Sequence, residues 1–224
     1  PLETCAYLFK YDSVFGPFPG KVEAGPGCLT IDSREIPFSA ETDLSQLDLS
    51  DVDVVMECTG KADTREIAER GLRAGAGNVL ISGPSGAADI TLVLGANEEK
   101  LDGHRIVSNG SCTTNALAPL LRGIDDAIGI ETGHMTTIHC YTGSQPMVDA
   151  PRGPLERSRA GGISMVPTST SATRLLGKVL PQLDGRISGA AVRVPAISVS
   201  AVDLTLTLAK PAGQPVNELL QELF

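Results

Sequence analysis

Asp53-Val54-Val55-Met56-Glu57-Cys58-Thr59-Gly60 is the stretch whose reading decides the fold. A short apolar run that stops at a Gly turn reads as a buried strand. Arg65 to Ala74 then reads as a helix, and Asn78-Val79-Leu80-Ile81-Ser82-Gly83 repeats the strand and turn. Ile90 to Gly95 and Arg105 to Ser108 supply two more short apolar strands. Strand, helix, strand at this spacing is a βαβ unit, because parallel neighbours need a crossover, and ligands gather at the carboxyl ends of such sheets. Thr59, Gly60 and Ser82 fall at those ends, as ligand contacts or simply as tight turns.

Further along the chain the pattern changes to longer strands. Glu131 to Tyr141, Arg186 to Val194 and Ser198 to Leu208 are rich in β-branched residues or alternate as half-buried strands do. Ser171 to Leu180 and Val216 to Phe224 read as helices. Between Tyr141 and Val166 lies a loop rich in Gly, Pro, Ser and Arg, too long for an ordinary connection and open to reading as a linker. The expected class is α/β: a partial Rossmann-type parallel sheet over 1–111, then an α+β catalytic domain over 112–224 with a largely antiparallel sheet.

Composition narrows the function. The 224 residues are 42% hydrophobic and 20% charged, an ordinary globular balance. A net charge of −9 and only 4% aromatic residues argue against a nucleic-acid surface, which needs basic patches or stacking platforms. No apolar run reaches the roughly 18 residues of a membrane span, so no membrane partner is expected and the cytoplasm is the default. Cys5, Cys28, Cys58, Cys112 and Cys140 are scattered without C-x-x-C spacing, which suits a reducing compartment and gives no metal site.

Chemistry concentrates at Ser111-Cys112-Thr113-Thr114-Asn115. Ser111 and Thr113 are candidate N-caps of a helix continuing through Ala116 to Leu121, which sets the thiol at a helix start. Helix N-termini and neighbouring imidazolium groups favour a reactive thiolate. The bland alternative is a buried structural cysteine. His139 is the imidazole that such a thiol needs, on a strand face shared with Thr137 and Tyr141 and opposite Ile138. His104 and His134 are read as incidental. A thiol hydrolase could use the same pair, but the βαβ unit upstream gives that reading no support.

The run Ser108-Asn109-Gly110-Ser111-Cys112-Thr113-Thr114-Asn115-Ala116-Leu117-Ala118-Pro119 resembles the active-site segment of the phosphorying glyceraldehyde-3-phosphate dehydrogenase family, and the resemblance extends over essentially the whole chain. It implies a cytoplasmic glycolytic oxidoreductase, homotetrameric in its full-length parent, that uses NAD, with NADP left open. It further implies Cys112 as nucleophile and His139 as base, with a phosphorylated aldehyde and inorganic phosphate as the small-molecule partners. Ser111, Thr113, Arg157, Thr170 and Ser171 match positions near the attacking phosphate, and Thr142 and Arg193 match the substrate-phosphate position. Thr59, Gly60 and Ser82 would touch the cofactor.

Departures from the family pattern point elsewhere. Gly143-Ser144 replaces Asn-Asp, Ser171 replaces Gly, Gly110 stands where Ala is usual, and Thr42 stands where an Arg is common. They leave room for an erythrose-4-phosphate or other aldehyde paralogue. No G-x-G-x-x-G follows a first strand. The expectation is therefore a fragment lacking the N-terminal βαβ unit and the C-terminal end, one that binds NAD poorly and is inactive alone.

Overall fold

The computed structural model describes residues 1–223, and the chain divides into two compact units, Pro1–Leu47 and Asp48–Phe224. The first unit holds α1 (Leu2–Lys10), two bridging pieces, β1 (Tyr11–Asp12) and β2 (Gly16–Pro17), and an antiparallel meander of β3 (Val22–Gly25), β4 (Cys28–Ile31) and β5 (Arg34–Pro37). Two tight turns make the meander. Gly25 pairs with Cys28 around Pro26-Gly27, where Gly27 takes φ +70°, a turn in which Pro sets the first position and Gly alone accepts the second without strain. Lys10 Nζ fastens α1 to the following segment, donating to the carbonyls of Phe18 and Gly20 at 2.8 and 2.7 Å.

The second unit opens with the parallel sheet. It comprises β6 (Val54–Glu57), β7 (Asn78–Ile81), β8 (Ile90–Thr91) and β9 (Ile106–Ser108) in the spatial order β6-β7-β9-β8, all pairings parallel. The crossover from β6 to β7 bends at Glu69 into α2 (Arg65–Ala68) and α3 (Arg70–Arg73) rather than running as one helix. Its approach is close: a Cβ on Gly71 would sit 3.0 to 3.1 Å from Val79 and Val55, so a larger residue would require those valines to give way. Ala62, Ala68, Val79, Ile81 and Ile106 form the core beneath. The strand expected over Ile90 to Gly95 stops at Thr91. Buried Asn97 closes a turn there, accepting from Val93 N–H at 2.8 Å and donating to Thr91 O at 3.0 Å.

Next come α4 (Cys112–Ile128) and the long β10 (Ile130–Cys140), then β11 (Val166–Thr168), α5 (Ala172–Val179), β12 (Ile187–Val194), β13 (Ala201–Leu208) and α6 (Val216–Leu223). The expected helix over Val216 to Phe224 is thus present as far as it can be described, Phe224 lying outside the described residues. Strand order is β11-β12-β10-β13; β10 pairs antiparallel with β13 and β12 with β11, as the alternation suggested, whereas β10 and β12 run parallel. A bulge between Ile130 and Thr132 resets the two-residue period, so Ile130 and then Met135 and Thr137 all face inward. On that face α4 and α5 bury Leu117, Leu121, Leu176 and Val179 against Met135 and Ile187, each large side chain contributing about 2 kcal/mol of transfer free energy. No helix among the described residues is long and apolar enough to cross a membrane.

Candidate active site

The parallel sheet runs straight into the thiol. β9 ends at Ser108, whose Oγ donates to Gly83 O at 2.8 Å, and the next N–H, of Asn109, donates to Ile81 O at 2.9 Å. Gly110 turns the chain at φ +67°. Ser111, not Thr113, is the N-cap: its Oγ accepts from Thr114 N–H at 3.1 Å while Thr113 is the second helical residue. Asn115 ties the turn down, donating from Nδ2 to Asn109 O at 2.7 Å and Ser111 O at 2.9 Å. Cys112 is therefore the first residue of a 17-residue helix, exposed, with its N–H ahead of the first intrahelical bond from Asn115 N–H to Ser111 O. That N–H is free to face a developing negative charge.

His139 reaches the thiol from the end of β10, its Nε2 3.3 Å from Cys112 Sγ. Its other nitrogen, Nδ1, lies 2.7 Å from Cys140 O, and Arg193 Nη1 comes within 3.0 Å of that nitrogen while donating to the same carbonyl at 2.7 Å. With Nδ1–H donating to Cys140 O, the Nε2 lone pair faces the sulfur, as a base requires. Arg193 stands beside His139 because the two are paired in the β10–β12 ladder. Burial first, and then the like charge of Arg157, push the Arg193 guanidinium below its usual range, against the opposing pull of Cys140 and Cys112. Two cations held this way call for an anion between them.

One cleft of about 120 Å³ collects Ser111, Cys112, Thr113, His139, Arg157, Thr170, Ser171 and Arg193. Arg157 is set by a 3₁₀ turn over Leu155–Ser158 and donates from Nε to Thr168 Oγ1 at 3.3 Å. Thr142 is not among them. It lines a separate cleft of about 440 Å³ with Gly143 and Gln145, its Oγ1 2.9 Å from Ser144 Oγ. His134 and His104 lie off the cleft, one bonded to Ser188 Oγ at 2.8 Å and the other accepting from Asp102 N–H at 3.3 Å. Thr137, Thr168, Ser169 and Ala191 also line the cleft, beyond the residues to which the sequence gives a role. Alternation had set Thr137 on the His139 face, and that was the available signal.

At the carboxyl edge of the parallel sheet, Thr59 N–H donates to Glu57 Oε1 at 3.0 Å and Ser82 N–H to Glu57 O at 3.0 Å. Gly60, at φ +70°, and Gly83 have open space where a side chain would project, and buried Glu57 keeps Oε2 without a partner. An open, polar strand edge of this kind fits the part of a dinucleotide that rests on the sheet. No glycine-rich loop for the pyrophosphate occurs in the sequence.

A thiol and an imidazole alone would serve a hydrolase equally well. Joined to the carboxyl edge of a parallel sheet and to an Arg-lined anion cleft, they define a thiol-dependent oxidoreductase of the dinucleotide-binding type. Comparison with known proteins narrows the class. Residues 111–223 match the family described as glyceraldehyde 3-phosphate dehydrogenase, C-terminal domain, and residues 1–65 match its NAD binding domain. The chain is 44% identical to glyceraldehyde-3-phosphate dehydrogenase of Xanthobacter flavus, over 98% of this chain and 67% of that protein. Identity to the Pseudomonas aeruginosa enzyme is 47%, over 97% and 66%, and to the enzyme numbered 1 of Schizosaccharomyces pombe 45%, over 95% and 64%. This chain belongs to the glyceraldehyde-3-phosphate dehydrogenase family, with NAD as the cofactor, and spans about two thirds of the length of these relatives.

Proposed function

We propose that the protein oxidises glyceraldehyde 3-phosphate, or a close phosphorylated aldehyde, to an acyl phosphate through a thioester on Cys112. The contact of 3.3 Å between Cys112 Sγ and His139 Nε2, inside a cleft with two guanidiniums, carries the reading. The Cys112 thiolate adds to the aldehyde carbon, forming a C–S bond, and the Cys112 N–H stabilises the resulting oxyanion. His139 Nε2, having taken the Cys112 thiol proton, gives it to that oxygen and takes it back as the carbon gives up hydride. Thr59, Gly60 and Ser82 would hold NAD, which would supply the hydride acceptor when bound. Inorganic phosphate then attacks the thioester carbon and expels the Cys112 thiolate as the C–S bond breaks.

By the family resemblance Arg193 and Thr142 are assigned to the substrate phosphate, although Thr142 lines a separate cleft from Arg193, and Ser111, Thr113, Thr170, Ser171 and Arg157 to the attacking phosphate; hydroxyls and guanidiniums are the donors such dianions need. Cofactor binding belongs to residues 1–111 and catalysis to 112–224, the boundary falling where β9 passes into α4. A cytoplasmic location, and a homotetramer for the full-length protein, complete the proposal. The four-carbon reading prompted by Gly143 and Ser144 gains nothing from the relatives, which carry the three-carbon name. The test is rapid mixing of the full-length protein that contains this chain with NAD and glyceraldehyde 3-phosphate in phosphate-free buffer. One equivalent of NADH per Cys112 should form in a burst, and turnover should follow only when phosphate is added. Absence of both contradicts the proposal.

A further inference from the structure

Thr137 presents a hydroxyl to the cleft that the chemistry above leaves unused. The residue is 1% exposed, it lines the cleft, and its Oγ1 has no hydrogen-bond partner. The ladder explains its place. Thr137 of β10 pairs with Ala191 of β12, and Ala191 pairs with Thr168 of β11. Residues paired across a ladder share a face, so Thr137, Ala191 and Thr168 form one row across three strands, next to the row that holds His139 and Arg193. Ala191 contributes only a methyl group and leaves room between the two threonines.

The two hydroxyls in this row differ in one respect. Thr168 Oγ1 is engaged by Arg157 Nε, whereas Thr137 Oγ1 is engaged by nothing. A buried hydroxyl without a partner costs free energy that a ligand's oxygen can recover. The cleft lining includes no Asp or Glu, while Arg157 and Arg193 both border it, so the oxygen that fits belongs to an anion. Ser111, Thr113, Thr170 and Ser171 line the same cleft, the hydroxyl-bearing set assigned above to attacking phosphate.

We propose that Thr137 is a further ligand of the attacking inorganic phosphate, donating its Oγ1–H to a phosphate oxygen at the base of the cleft. The inference rests on the proposed function and adds a residue to its phosphate site. A neutral, buried donor has a particular use there. It orients the dianion without drawing off as much of its negative charge as a second cation beside Arg157 would, and so leaves the attacking oxygen nucleophilic.

Inorganic phosphate alone is the probe, and its protection of Cys112 against iodoacetamide is the readout, which needs neither NAD nor aldehyde. The parent protein, Thr137→Val and Thr137→Ser are titrated with phosphate, each against its own phosphate-free alkylation rate. Thr137→Val should shift the protection midpoint about tenfold upward, the loss of one charge-assisted bond, and Thr137→Ser should stay within about twofold of the parent. Thermal unfolding supplies the second measurement. Without phosphate, Thr137→Val should melt higher than the parent, because a methyl replaces the orphan hydroxyl, and saturating phosphate should raise Tm less in Thr137→Val than in the parent. Equal midpoints in the parent and Thr137→Val would overturn the inference and leave the proposed function standing. Failure of phosphate to protect even the parent would overturn the phosphate site and this inference together.

Discussion

The thiol cleft and the carboxyl edge of the parallel sheet are both built where strands stop, yet they are finished differently. In the cleft, His139 is held at both ring nitrogens, Arg193 is locked onto Cys140 O and Ser111 is committed to capping α4. At the sheet edge the strands are four residues or shorter, two glycines border open space and the Glu57 carboxylate is half satisfied. The lesson is that Cys112 and His139, the proposed nucleophile and base, are fixed by hydrogen bonds within residues 108–193, whereas the proposed cofactor edge is left open. Preorganisation is stronger where the covalent chemistry is proposed.

The hardest attempt to break this contrast targets the thiol. Cys112→Ser should leave no acyl adduct detectable by mass spectrometry after mixing with aldehyde and NAD. In the parent, iodoacetamide should label Cys112 far faster than Cys5 and Cys58, although all three are exposed. Equal labelling of the three would mean that exposure alone sets reactivity and that the cleft is not preorganised.

His139→Asn comes next. It should slow both alkylation of Cys112 and single-turnover hydride transfer by roughly 10²-fold or more, since it removes the group that faces the sulfur and carries the proton. Arg193→Ala should raise KM for the phosphorylated aldehyde by about 10- to 150-fold and for an uncharged aldehyde much less, as expected for loss of a charge-assisted contact. An equal rise for both substrates would make Arg193 a support for His139 only.

The smallest effect sharpens the comparison from the sheet side. Asp89 accepts from the N–H groups of Arg105 and Ile106 at 3.0 and 2.8 Å, anchoring the start of β9, and pairs with Arg65. Burial raises its carboxyl, but the Arg65 bond and the two backbone donors outweigh that and hold it below the usual range. A carboxylate depressed by folding stabilises above its unfolded value near 3.9, and that contribution is lost as pH falls through its lower folded value. Asp89→Asn should therefore cost about 1 to 2 kcal/mol at neutral pH by denaturant unfolding, with the difference from the parent shrinking below about pH 4. Alkylation of Cys112 should change little, since Asp89 does not line the cleft.

Sequence pattern carried the parallel sheet and the site further than it carried the rest. β6, β7 and β9, the cap at Ser111, the start of α4 and the burial alternation around His139 all follow from local rules of propensity and period. α1 was missed because Leu2–Lys10 begins at Pro1 with no side-chain cap and buries only Ala6. The β3–β4–β5 meander was missed although Pro26-Gly27 and Asp32-Ser33 stand at hairpin spacing, because its strands bury little and alternate weakly. The parallel pairing of β10 with β12 is a long-range choice that no local window contains. Thr137 was legible as a position but not as a role, since an unpaired hydroxyl exists only once its neighbours are in place.

That β10–β12 pairing also bears on how such a chain can drift over generations. His139 stands opposite Arg193 only in one register, and a slip of one residue would bring Val192 or Val194 alongside and turn the guanidinium to the other face. Insertions and deletions are thus ruinous within either strand, and in the stretch between Cys140 and Val166 tolerable only where they leave Thr142 and Arg157 in place. The ladder works as an inspection step: a copy whose strands have mated wrongly is not a weaker catalyst but a silent one.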